Sequence, residues 1–350
     1  MALTRRGRTV VVVGALVVLG AGAIGAAYIT RPAGASLGEA ITEIVAPDPI
    51  CPLTGVRATG DEVPARPVLA VKIENSPLAR PQAGLNDADI VYEEPVEGGI
   101  TRFIALYQCG DVDRLGPVRS ARTTDPDVLV QYGTPLMAYS GGAGQVVALV
   151  RQAGLLDVGF ETMPDLYERD PAREAPHDIF SSTAALWGGA SWSAAAPDPV
   201  FTFDADPPAV AKRAARVHLD FSASSDVWWT WDAAAGLWLR AHGDTPHVLE
   251  GGEQVSATTV VVQVVEVRPG TIIDAAGNPS PEVTLVGTGK VYVFRGGQVV
   301  VGRWVRDALD QVTRLEDADG NEIALAPGRT WVELLPSTVA VEIVRKAPAA

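Results

Sequence analysis

An uncharged, apolar run from Thr9 to Thr30, preceded by Arg5, Arg6 and Arg8, constrains this chain more than any other feature. As a helix the run would be about 33 Å long, against roughly 30 Å for the hydrocarbon core of a bilayer. Arginines beside such a helix stay on the cytoplasmic side. The expected layout is therefore a cytoplasmic basic segment over 1–8 and a transmembrane signal anchor over 9–30. An Ala-, Gly- and Pro-rich spacer over 31–50 follows, and the bulk of the chain is extracytoplasmic. The run is longer than the apolar region of a cleaved signal, roughly 7–15 residues, so it reads as uncleaved.

An extracytoplasmic location sets the chemistry of the remainder. Cys51 and Cys109 are the only cysteines, and outside the cytoplasm such a pair is expected to form a disulfide. Two thiols cannot build a structural zinc site, which takes four ligands. A formal net charge of −14 argues against nucleic acid as a partner, because phosphate backbones need a basic face. The 350 residues are enough for about two domains.

The periodicity changes along the chain. Pro67–Glu74, Asp89–Val96 and Thr101–Cys109 alternate as strands do, with Gly98-Gly99 as a tight turn. Thr124-Asp125-Pro126 has the composition of a helix start, and the helix is expected to reach Tyr132. Pro135–Tyr139 reads as a short strand entering Ser140-Gly141-Gly142-Ala143-Gly144, with a helix over Gln145–Ala153. From Arg216 onward, short strands follow one another between Gly, Asp and Asn turns. The fold class expected is α+β. An N-terminal α/β domain with a mixed sheet over 51–186 is joined by a linker over 187–215 to a mainly antiparallel β domain over 216–346.

Several polar residues are candidates for chemistry. Arg119 and Arg122 follow the Gly116-Pro117 turn and would share a face if 118–123 were helical. Arg102 opens a strand, and Arg169 and Arg173 precede Pro176-His177. Guanidinium forks suit carboxylate and phosphate groups; they equally suit internal pairing with Glu93, Glu94, Glu97, Asp170 or Glu174. His177 or Glu94 could act as acid or base, and Ser120 could be a nucleophile if His177 folded back onto it. Glu93 and Glu94 are adjacent on a strand, so they point to opposite faces. The glycine turn at 140–144 could offer N–H groups to an anion. The Trp228-Trp229-Thr230-Trp231 run suits either sugar stacking or a core. Asp317-Ala318-Asp319-Gly320-Asn321 reads as a turn rather than a calcium loop, and His218, His242 and His247 form no metal motif. No cofactor and no metal is expected.

Taken in order, these phrases resemble the YerB family, bacterial envelope proteins described by a paired domain of unknown function, DUF3048. The resemblance rests on Pro52-Leu53-Thr54-Gly55, Arg80-Pro81-Gln82-Ala83-Gly84-Leu85, Asp89-Ile90-Val91-Tyr92-Glu93, Thr101-Arg102-Phe103, Gly116-Pro117-Val118-Arg119-Ser120-Ala121-Arg122 and Ala175-Pro176-His177. Gly287-Thr288-Gly289-Lys290 and Pro327-Gly328-Arg329-Thr330-Trp331 resemble the C-terminal half. The resemblance implies an exported, membrane-attached, two-domain protein without an established activity. Family members are often lipoproteins, whereas here no cysteine closes the apolar run. Members also often carry Asn after the histidine, where this chain has Asp178, whose charge could raise the His177 pKa.

The functional expectation is an envelope protein that binds an anionic cell-wall component or a protein partner. Arg102, Arg119, Ser120, Arg122, Arg173 and His177 would form the ligand site. The alternative is a cell-wall glycan or peptide hydrolase or transferase using His177 or Glu94.

Overall fold

Strands dominate because β-branched and aromatic residues recur at alternate positions through most of the chain. The structure, a computed structural model, describes residues 48–193, 195–274 and 277–346. In the first half lie β1 (Leu69–Glu74), β2 (Ile90–Pro95), β3 (Thr101–Tyr107), β4 (Leu136–Ala138) and β5 (Leu156–Asp157). Three short helices accompany them: α1 (Thr124–Leu129), α2 (Gly144–Gln152) and α3 (Thr183–Gly188). The second half supplies β6 (Arg216–Ser222), β7 (Ser225–Asp232), β8 (Leu237–His242) and β9 (Thr259–Val265). A hairpin of β10 (Val267–Ile273) and β11 (Pro279–Val283) comes next. It is followed by β12 (Gly287–Arg295), β13 (Gln298–Arg306), β14 (Arg314–Glu316), β15 (Thr330–Pro336) and β16 (Val341–Val344).

One large mixed sheet runs through both halves in the order β14-β13-β12-β9-β15-β2-β3-β1-β4-β5. The β9–β15, β15–β2, β1–β4 and β4–β5 pairs are parallel, and the others along this path are antiparallel. The second half also forms an antiparallel sheet in which β8, β7, β6 and β16 are neighbours. Alternation gives the large sheet two apolar faces. On one face Val71, Val91, Phe103 and Trp331 pack with Val227, Trp229 and Trp238 of the second sheet. On the other, Ala70, Tyr92, Ile104 and Val332 pack with Val128 of α1 and with Val146 and Val150 of α2. Trp331 is central to the first layer, meeting Trp229 at 5.3 Å and Phe103 at 5.1 Å between ring centroids.

The parallel β2–β15 pair carries the sheet across the expected 187–215 boundary. Chain from Ile50 onward forms a single compact unit, and the two halves share backbone hydrogen bonds across one sheet. Cys51 and Cys109 are joined as a disulfide, tying the start of this unit to the end of β3. The anchor expected over 9–30, with the flanking segments over 1–8 and most of 31–50, lies outside the described residues. Among the described residues, no helix is long and apolar enough to cross a membrane.

Candidate functional site

The site is built where β1, β2 and β3 end together. Glu74 of β1 and Glu94 of β2 both stand in register with Arg102 of β3, one on each side. All three, with Lys72, project to the α1–α2 face, as alternation from Ala70 and Ile104 requires. Carboxylates flanking an arginine ordinarily pair with it, but here each is taken by another cation. Lys72 Nζ bonds Glu94 and lies 2.5 Å from Asp125 Oδ1, with all three side chains fully buried. Glu74 lies 2.7 Å from His177 Nδ1 and 3.3 Å from Arg119 Nε.

Arg102 is left with the Ser120 carbonyl, to which it donates at 3.2 Å. It is only 5% exposed, and no ion pair to a carboxylate is present within 4.0 Å among the described residues. Its Nε–H has no acceptor. Burial first, then the neighbouring Arg122 and Arg119 charges, lower its pKa to about 10; it remains cationic at neutral pH.

Arg102, Arg119, Ser120 and Arg122 line one cavity of about 430 Å³. Residues 118–123 bring Arg119 and Arg122 there, though not as a helix: Val118 and Arg119 dock on β1, and helical backbone angles are reached at Thr123, which caps α1. Val118 bridges Ile73, Arg119 N–H donates to the Lys72 carbonyl, and α1 begins only at Thr124. Gly116 starts this segment at φ 141°, a left-handed value that favours glycine, and a Cβ there would lie 2.9 Å from the Ile179 carbonyl. Arg122 donates from Nε to Glu97 Oε2 at 2.7 Å and from Nη1 to the Ala121 carbonyl at 2.8 Å. Burial pushes Glu97 upward, but hydrogen bonds from Ser280 and the Arg122 charge outweigh it and hold its pKa below the usual value.

The far wall comes from the second half of the chain. Ile272, Ile273, Asp274 and Ser280 of the β10–β11 hairpin line the cavity, facing Ala143 and Val146 at the start of α2. Ser280 donates to Glu97 Oε1 and pins the hairpin. Asp274 closes the hairpin turn by accepting from Asn278 N at 2.7 Å.

Other candidates lie elsewhere. Glu94 is committed to Lys72 and does not line the cavity. Burial, reinforced by Asp125 and opposed by Lys72, pushes its pKa up to about 7. His177 is joined to Glu74 rather than to Ser120, so a Ser120–His177 nucleophile pair is not formed. Asp178 is turned to Arg169 at 2.6 Å, leaving Glu74 as the partner of His177. Arg173 bonds the Ala79 carbonyl at 3.0 Å and Glu250 at 3.0 Å, away from the cavity. The glycine turn does not present Gly141 N–H to an anion, because Glu161 already accepts from it at 2.9 Å. Trp229 is buried and donates to Glu333, whereas the Trp228 ring is covered by His218 at 4.2 Å and Arg216 at 4.1 Å. Neither Trp228 nor Trp229 therefore offers a free face for sugar stacking. Asp317 accepts from Asn321 N at 2.9 Å as a plain turn does.

A second polar cluster occupies the opposite face of β2. Arg240 Nη2 donates to both Glu93 oxygens, at 2.9 and 2.8 Å, with both side chains fully buried. Arg240 Nη1 donates to His247 Nδ1 at 2.8 Å, and His247 Nε2 meets Gln82 Oε1 at 2.9 Å. This geometry needs a neutral imidazole, and burial with the Arg240 charge holds His247 well below its ordinary value. Glu333, beside Glu93 on β15, is held well above the carboxylate range by burial and by the Glu93 charge.

Comparison with known proteins places this geometry in a family. The N-terminal domain of a protein of unknown function (DUF3048) matches residues 53–195, and the DUF3048 C-terminal domain matches 217–332. The chain belongs to the DUF3048 family. It is 29% identical over 302 residues to the "Putative lipoprotein YerB" of Bacillus subtilis strain 168, covering 83% of this chain and 88% of that protein. The crystal structure of the YerB protein from Bacillus subtilis superposes with a TM-score of 0.73 at 23% identity, covering 84% of this chain and 99% of that one. The family match spans both walls of the cavity, the arginines in its N-terminal domain and the hairpin in its C-terminal domain.

Proposed function

We propose that this protein is a membrane-attached, extracytoplasmic binding protein that captures an anionic envelope component in the cavity of Arg102, Arg119 and Arg122. One observation carries the reading. Arg102 is a buried guanidinium whose flanking carboxylates are engaged by other cations, and it lines a cavity with two further arginines. Burying an uncompensated charge costs several kcal/mol, on the order of 3–5, unless an anion or water meets it. A bound oxyanion would supply the missing acceptor. Attachment to a membrane is supported by the apolar run at 9–30 and by the lipoprotein description of the relative. The separation of Glu94 from the cavity, and of His177 from Ser120, favours binding over hydrolysis or transfer. Binding of purified anionic wall precursors to the full chain, compared with the Arg119→Ala/Arg122→Ala double variant, tests this reading. Loss of binding with an intact fold supports it, and unchanged binding contradicts it.

A further inference from the structure

We infer that the preferred ligand is a phosphate monoester whose organic group is apolar next to the phosphate, a deepening that rests on the proposed anion-binding function. Two features of the cavity lead there. The first is the number and disposition of donors. A planar carboxylate is satisfied by one bidentate guanidinium, whereas a phosphate presents three outer oxygens in a tetrahedral array. Arg102 approaches from β3, and Arg119 and Arg122 from the segment between Gly116 and α1, so three guanidinium groups border one space. Arg122 is balanced by Glu97, and Arg119 meets Glu74 only through Nε. Asp274, the other acid on the wall, is spent on its own hairpin turn.

The second feature is the part of the wall that the hairpin supplies. Ile272 is partly buried against the core, while Ile273 is 53% exposed. Together the two isoleucines put an apolar strip within the same cavity as the arginines. A purely hydrophilic anion, such as inorganic phosphate, would leave that strip in water. An alkyl or prenyl-like group attached to the phosphate would cover it. Ser280, hydrogen-bonded to Glu97, holds the hairpin so that the apolar strip and the guanidinium cluster keep their spacing. The same chemistry occurs in a lipid phosphate headgroup and in a soluble ester.

Calorimetric titration of the full chain with n-butyl phosphate, inorganic phosphate and pentanoate tests the inference. Butyl phosphate is expected to bind about tenfold more tightly than either of the others, since a few buried methylenes and the extra oxygens each contribute on that scale. Ile273→Ser, at an exposed position, is expected to abolish the preference for butyl over inorganic phosphate. Arg119→Gln is expected to weaken both phosphates. Equal affinity for butyl and inorganic phosphate, together with a silent Ile273→Ser, would overturn the apolar-ester inference while leaving anion binding standing. Preference for pentanoate would overturn the phosphate assignment. No binding of any of the three would overturn the anion site itself. Repeating the titration in phosphatidylcholine nanodiscs with and without phosphatidic acid identifies the source. Weaker apparent affinity with phosphatidic acid marks a lipid headgroup as the competitor, and unchanged affinity marks a soluble ester.

Discussion

Strand β2 carries Glu93 and Glu94 side by side, and the two faces they serve solve the same problem differently. On the face toward the second sheet, Arg240 gives two hydrogen bonds to Glu93, donates a third to neutral His247, and packs against the Phe103 and Trp331 rings. Toward the helices, Lys72 takes Glu94 and Asp125, His177 and Arg119 take Glu74, and Arg102 is left facing a cavity. Both faces bury arginine. Each keeps a buried Nε–H without an acceptor, but of the two only Arg102 lines the cavity. The difference teaches that an arginine's function follows from where its nearest carboxylates are spent, not from its burial or its motif.

The comparison breaks most decisively at Arg240. Arg240→Ala strands Glu93 in the interior, so unfolding in urea is expected to show a loss of about 3–5 kcal/mol. A loss below about 1 kcal/mol would mean that this cluster is not the closed ion pair described. On the other face the carboxyl of Glu94 sharpens the contrast through pH. Its pKa is about 7 in the folded protein and 4.5 ordinarily. Between those values the folded protein keeps a proton that the unfolded chain has released. The stability this group contributes is therefore complete below about 4.5 and lost as pH rises through 7, on the order of 3 kcal/mol. Glu333 acts with the same sign. Glu94→Gln should show a smaller fall in urea stability between pH 5 and pH 7.5 than the parent protein, and an identical fall would remove Glu94 from the account.

Much of this was legible in the sequence. The strand alternation and the opposite facing of Glu93 and Glu94 follow from local rules, and the disulfide from the presence of one cysteine pair in an extracytoplasmic setting. What was not legible depends on contacts between distant residues. Residues 118–123 do not form a helix because Val118 and Arg119 dock on β1, a tertiary preference that no local spacing reveals. The parallel pairing of β2 with β15 spans most of the chain, and it fuses halves whose compositions suggested separate domains. Ile272, Ile273 and Ser280 lie far from the arginines in sequence, and no local pattern there points to the cavity. A signal for Glu74 was present: Lys72 and Glu74 are charges inside an otherwise apolar strand, each buried at a cost that demands a partner.

Smaller effects probe the cavity itself. Ser280→Ala removes the hydrogen bond to Glu97 and is expected to lower stability by about 1–2 kcal/mol, as read by urea denaturation. It should also weaken butyl phosphate more than inorganic phosphate, because the hairpin wall is loosened while the arginines stay. Equal weakening would separate the hairpin from ligand choice. Arg119→Gln is expected to change stability least, by less than about 1 kcal/mol, because Arg119 is partly exposed and its one ion pair is long. A stability loss like that of Arg240→Ala would make Arg119 a structural ion pair and erase the difference between the two faces.

The most direct test is a crystal structure of the protein grown with n-butyl phosphate. The account predicts a phosphate within hydrogen-bond distance of Arg102, Arg119 and Arg122, its alkyl chain against Ile273, and the Arg240–Glu93 pair unchanged. An empty cavity at saturating ligand, or Arg102 closed onto Glu74 or Glu94 with no anion bound, would contradict it.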